Sequence, residues 1–105
     1  PIIRSSIIYI KKNHQEKIEL KDVAQFCSLS TYHFSHLFTK EVGISLINFI
    51  NKIRIEKAVF FLSTTDQTMQ EIASHVGFED ANYFARKFKS YMGCSPSEYR
   101  AAKLC

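Results

Sequence analysis

Glycine and proline are scarce in these 105 residues, at 3 and 2 respectively. That disfavours a sandwich or barrel, whose many tight turns call for both. Long segments poor in both point to helices instead. Cysteines are few and odd in number: Cys27, Cys94 and Cys105, with no C-x-x-C spacing. Neither a disulfide framework nor a zinc site is expected from them, and a reducing, cytosolic setting is. No apolar run approaches the ~18 residues of a membrane span. The start, Pro1-Ile2-Ile3-Arg4, has no initiator Met and no signal-peptide organisation, so the chain reads as a piece of a longer one. Glycine-rich phosphate loops, G-x-S-x-G and H-E-x-x-H are all missing. No pair of catalytic groups has motif-level support, so an enzyme is not expected. No cofactor, metal or small-molecule site is proposed.

What remains is ordinary globular composition, with 46% hydrophobic and 23% charged residues. The length fits one domain over residues 1–105. Fourteen Lys and Arg against ten Asp and Glu leave a net charge of +4. That balance permits an anionic partner without requiring one.

One pattern is written twice. LKDVAQFCSL and STYHFSHLFTKEVGIS run from Leu20 to Ser45; MQEIASHVGF and EDANYFARKFKSYMGCS run from Met69 to Ser95. Val23-Ala24 matches Ile72-Ala73 and Leu29 matches Phe78. Beyond a connection one residue longer in the second copy, Phe34 matches Phe84, Phe38 matches Phe88, and Gly43 matches Gly93. Helix signals bracket each piece. Thr68 to Glu71 is a capping box, Ser30 and Asp80 are N-cap residues, and Ser95-Pro96-Ser97-Glu98 is a second box with Pro at the first helical position. Gly77 suits a left-handed helix end. Its partner Ser28 is less comfortable there by ~1 kcal/mol.

Each copy is thus helix, turn, helix. The phenylalanines bury one face, and Ala24 and Ala73 mark close helix approach. Between the copies, Leu46 to Leu62 is apolar around most of its circumference, which predicts a buried rod of roughly 26 Å. Ile3, Ile7 and Ile10 predict a packing helix before the first copy. The expected architecture is all-α: seven helices and no strand. Its parts are a first helix-turn-helix at 17–45, a linker helix at 46–63, a second helix-turn-helix at 66–95 and a closing helix at 96–103.

In a helix-turn-helix the second helix lies in the DNA major groove. Two such units predict reading of two successive groove segments on one asymmetric site. With the phenylalanines inward, Thr31, Tyr32, Ser35, His36 and Thr39 face outward on one reading helix. Ala81, Asn82, Ala85, Arg86 and Lys89 do so on the other. His36 and Arg86 are equivalent positions. Arginine pairs with guanine and asparagine with adenine through two bonds each.

At these residues the chain resembles the AraC/XylS transcription regulators. The resemblance covers residues 5 to 100. Its most specific stretch is IASHVGFEDANYFARKFKSYMGCSPSEYR, Ile72 to Arg100, with the R-I-E-K-A run of Arg54 to Ala58 typical of the linker helix. It implies seven helices, double-stranded promoter DNA as partner, and a bacterial, cytoplasmic activator. It also implies RNA polymerase as a second partner, and no membrane. The piece itself is expected to be monomeric, with dimerisation left to a further regulatory domain. Carried over by position, the base-contact residues are Tyr32, Ser35, His36, Ala81, Asn82, Ala85 and Arg86. The phosphate-contact residues are Thr31, Lys40, Ser45, Arg54, Lys89, Ser95 and Tyr99.

Plainer roles stand beside these. Tyr99 is equally readable as a core residue. His33, Tyr83 and Tyr91 are expected to pack, His14 and His75 to lie at or near the surface, and Cys27 and Cys94 to be inert buried thiols. A helical module that docks on a protein partner is the alternative function.

Overall fold

The computed structural model describes residues 2–102. It is all-helical there, with seven helices in chain order: α1 (Ile2–Asn13), α2 (Leu20–Phe26), α3 (Thr31–Val42), α4 (Leu46–Thr64), α5 (Met69–Val76), α6 (Ala81–Met92) and α7 (Pro96–Ala102). No strand occurs among the described residues. The closing helix was expected to reach Lys103; that residue and Cys105 lie outside the described residues. The chain divides into two compact units, Pro1–Ile50 and Asn51–Cys105, with α4 beginning in the first and continuing in the second.

The repeated pattern becomes repeated hydrogen bonding. At the end of α2, Ser28 N–H donates to the Gln25 carbonyl (3.0 Å) and Leu29 N–H to the Ala24 carbonyl (2.9 Å). At the end of α5, Gly77 N–H donates to Ser74 (3.2 Å) and Phe78 N–H to Ala73 (2.8 Å). Both are Schellman endings, which satisfy the last carbonyls and need a left-handed residue after the cap. Gly77 supplies it with φ 107°, and Ser28 with φ 59°. Ser28 is the one non-glycine residue with positive φ among those described.

The starts of the reading helices match as well. Ser30 Oγ accepts from His33 N–H (3.1 Å) at α3. The Asp80 carboxylate accepts from Asn82 N–H (2.6 Å) and Tyr83 N–H (3.3 Å) at α6. Each cap engages donors that the helix itself cannot satisfy. Thr68 and Glu71 form a complete capping box at α5, as do Ser95 and Glu98 at α7. At α2, Asp22 accepts from Glu19 N–H (3.3 Å).

In the first unit Ile10, Val23, Ala24, Phe34, Phe38, Leu46 and Ile50 are buried, and Phe49 meets Phe38 edge-on at 5.5 Å. In the second, Ile55, Ala58, Leu62, Ile72, Ala73, Val76, Phe78, Phe84 and Phe88 form one cluster. Ala24 and Ala73 are both buried, as the close helix approach requires.

Some packing expectations need correction. His33 is exposed, and its backbone N–H is engaged at the α3 cap. Tyr91 is exposed at 38% of its surface, with enough burial to raise its phenol pKa. His14 is buried. Cys94 is half-buried and disulfide-bonded, not an inert thiol. Cys27 is half-buried and free, and burial raises its thiol pKa.

Candidate nucleic-acid interface

The two reading helices are rigid by construction: capped at the first turn, ended at Gly43 and Gly93, and anchored by two buried phenylalanines each. Their outward faces carry the expected side chains unevenly. On α3, Thr31, Tyr32, His36, Thr39 and Lys40 are exposed, and Tyr32 is 75% accessible. Ser35 is half-buried and lines a shallow groove with Ile18, Leu20, Leu46 and Ile47. On α6, Asn82, Arg86 and Lys89 are exposed, while Ala81 and Ala85 are half-buried.

His36 and Arg86 are held against neighbouring rings. The His36 ring packs against the Tyr32 ring, centroids 4.1 Å apart and planes tilted by 34°, and its Nδ1 lies 3.0 Å from the Tyr32 carbonyl oxygen. The Arg86 guanidinium lies 5.7 Å from the centre of the Tyr83 ring, and Lys87 Nζ lies 5.6 Å from the same ring. The ring faces attract both cations. Tyr83 is fixed in turn by Asn51 of α4, whose Nδ2 donates to the phenol oxygen at 3.2 Å. So the half-buried Tyr83 does pack, and it is also a platform for charge.

The residues expected to contact phosphate fall into four groups. Thr31, Lys40 and Lys89 are exposed. Ser45 and Ser95 are half-buried caps whose hydroxyls accept from Asn48 N–H (3.3 Å) and Glu98 N–H (3.1 Å). Tyr99 is half-buried and meets Phe88 edge-on at 5.8 Å, the core alternative. Arg54 stands apart. It is buried, with its guanidinium 5.7 Å from the centre of the Phe78 ring. Burial lowers its pKa, opposed by Tyr83 and Glu79. The structure seats Arg54 in the body of the second unit.

Arg100 escaped the residue-type reading. Its guanidinium donates to three carbonyls: Leu62 (3.3 Å), Thr65 (3.1 Å) and Gln67 (2.6 Å). It thereby ties α7 to the end of α4 and the turn leading to α5. No local motif announces this, because the acceptors are backbone atoms more than thirty residues away.

The chain is similar to known proteins. The helix-turn-helix domain family matches residues 23–102. The arabinose operon regulatory protein of Escherichia coli is 38% identical over 100 residues, covering 94% of this chain and 34% of that protein. The chain belongs to the AraC/XylS helix-turn-helix family. Another relative is the bifunctional transcriptional activator/DNA repair enzyme AdaA of Bacillus subtilis, 37% identical over 92 residues, with 88% of this chain and 44% of that protein covered. Among solved structures, the C-terminal domain of AraT, a response regulator from Geobacillus stearothermophilus, superposes with a TM-score of 0.93 at 38% identity. That match covers all of this chain and 88% of the other. The chain spans about a third of the length of the first curated relatives it matches. No helix among the described residues is long and apolar enough to cross a membrane.

Proposed function

We propose that this AraC/XylS domain binds double-stranded promoter DNA in a sequence-specific manner, as the reading module of a bacterial transcription regulator. In this reading α3 and α6 each enter a major-groove segment, and the two segments differ in sequence. The observation that carries it is the exposed polar row Asn82, Arg86 and Lys89 on a helix whose opposite face is locked by Phe84 and Phe88. The equivalent row Tyr32, His36 and Thr39 repeats it on α3, with Lys40 exposed beside it. Asn82 and Arg86 are the base-contact groups of α6, with Ala81 and Ala85 able to offer apolar contact to thymine methyls. Tyr32 and His36 lead on α3, and Ser35 sits at the margin.

Lys40, Lys89 and Thr31 serve phosphates, and Ser45 and Ser95 do so through the helix starts that they cap. RNA polymerase is the second partner in this reading, to be read by co-purification on promoter DNA.

The test is fluorescence anisotropy on duplexes enriched from a random pool. Arg86→Ala is expected to weaken the selected site by about 1–3 kcal/mol and to relax one base position. Equal affinity for selected and scrambled duplexes would reject the reading.

A further inference from the structure

His36 and Arg86 occupy the same place in the two copies, yet they present opposite hydrogen-bond chemistry. A carbonyl oxygen only accepts, so the 3.0 Å contact between His36 Nδ1 and the Tyr32 carbonyl requires the proton to be on Nδ1. In the neutral ring the other nitrogen, Nε2, is then an acceptor. The Tyr32 ring, 4.1 Å away and tilted by 34°, packs against the imidazole on the same turn. No hydrogen-bond partner of His36 Nε2 occurs among the described residues, and the side chain is exposed. Arg86 carries only donors and rests over the Tyr83 ring.

Resting on the DNA-reading role above, we propose that the two units read opposite base edges at their equivalent positions. Arg86 takes guanine, whose N7 and O6 accept. His36 takes a base that donates an exocyclic amine into the major groove: the N4 amine of cytosine or the N6 amine of adenine. Tyr32 is the positioning residue for this choice, because its carbonyl sets the tautomer and its ring packs against the imidazole. The domain is therefore asymmetric in chemistry as well as in sequence. A guanine at both equivalent positions is a poor site for it.

The assignment is tested at pH 8, where an imidazole is ordinarily neutral. Long-range 1H–15N correlation spectra are expected to show Nδ1 of His36 protonated and Nε2 bare. A protonated Nε2 overturns the proposal. Selection from a random duplex pool is then run with the wild-type chain, His36→Ala and His36→Arg. The base position that His36→Ala relaxes is expected to hold adenine or cytosine in the wild-type pool and guanine in the His36→Arg pool. Replacing that base by its analogue without the amine should weaken wild type about tenfold and leave His36→Ala unchanged. Guanine or indifference at that position in the wild-type pool overturns the assignment while leaving DNA reading intact. If wild type enriches no duplex, the DNA-reading role itself falls, and this assignment with it.

Discussion

Ser28 holds a left-handed backbone, φ 59°, at the place where the second copy has Gly77. A side chain in that conformation meets the following carbonyl and costs ~1 kcal/mol. Glycine relieves the clash but adds freedom to the unfolded chain, which offsets part of the gain. Ser28→Gly is expected to stabilise the chain by about 0.5 kcal/mol, and Gly77→Ser to destabilise it by ~1 kcal/mol or more. Urea midpoints check both; a less stable Ser28→Gly would mean that its helix ending gains something from the side chain. This strain is legible in the sequence, because the repeat itself lays serine on glycine.

Two carboxylates add a pH dependence at the same scale. The Glu71 carboxyl is held below the ordinary carboxylate range by the Thr68 backbone N–H, then by the Thr68 hydroxyl. Ser95 does the same for Glu98, again through its N–H first. A depressed folded value means stability that is fully present above the unfolded carboxylate range. It is lost as pH falls through the folded value. Unfolding midpoints measured from neutral pH downward should therefore fall, and fall less steeply in Glu71→Gln/Glu98→Gln. An identical acid slope in the double variant would show that other groups govern it.

At the scale of elements, helices, caps and turns follow from local chemistry, so sequence reading reached all seven and most of their ends. The linker helix runs to Thr64, slightly past its expected end, and hydroxyls close it: Thr64 Oγ1 donates to Phe60 O (2.7 Å) and Thr65 Oγ1 to Phe61 O (2.6 Å). What local chemistry could not show is what holds elements together across distance. Arg100 is the clearest case, a planar fork spread over three backbone carbonyls. Hydrogen bonds from a charged group contribute about 1.5–3 kcal/mol when partly buried. Arg100→Ala is expected to cost ~2–3 kcal/mol, and Arg100→Lys most of that, since an ammonium cannot span the same acceptors. Circular dichroism during urea unfolding measures both. A lysine variant as stable as wild type would reduce Arg100 to a surface charge.

For the whole molecule, the small net charge of +4 becomes a statement about binding once the cations are placed. Of the expected DNA-contact residues, Lys40, Arg86 and Lys89 combine a positive charge with exposure. Arg54, matched to a phosphate position by resemblance, is buried against Phe78. The residue type was legible and its burial was not, because burial depends on helices meeting far along the chain. Each neutralised phosphate releases counterions and contributes about −0.9 to the slope of log K against log salt. With Arg86 placed on a base, the two phosphate-facing lysines predict a slope of about −2, shallow for a DNA reader. Lys89→Ala should flatten it by about one. Arg54→Met should leave the slope unchanged even where it lowers stability, because a seated guanidinium neutralises no phosphate. Titrations across a series of salt concentrations, run well below each variant's melting point, separate these outcomes. A slope that flattens in Arg54→Met would show that its guanidinium leaves the Phe78 ring to meet the DNA backbone. A wild-type slope steeper than about −6 would mean that lysines outside the two reading helices track the duplex as well.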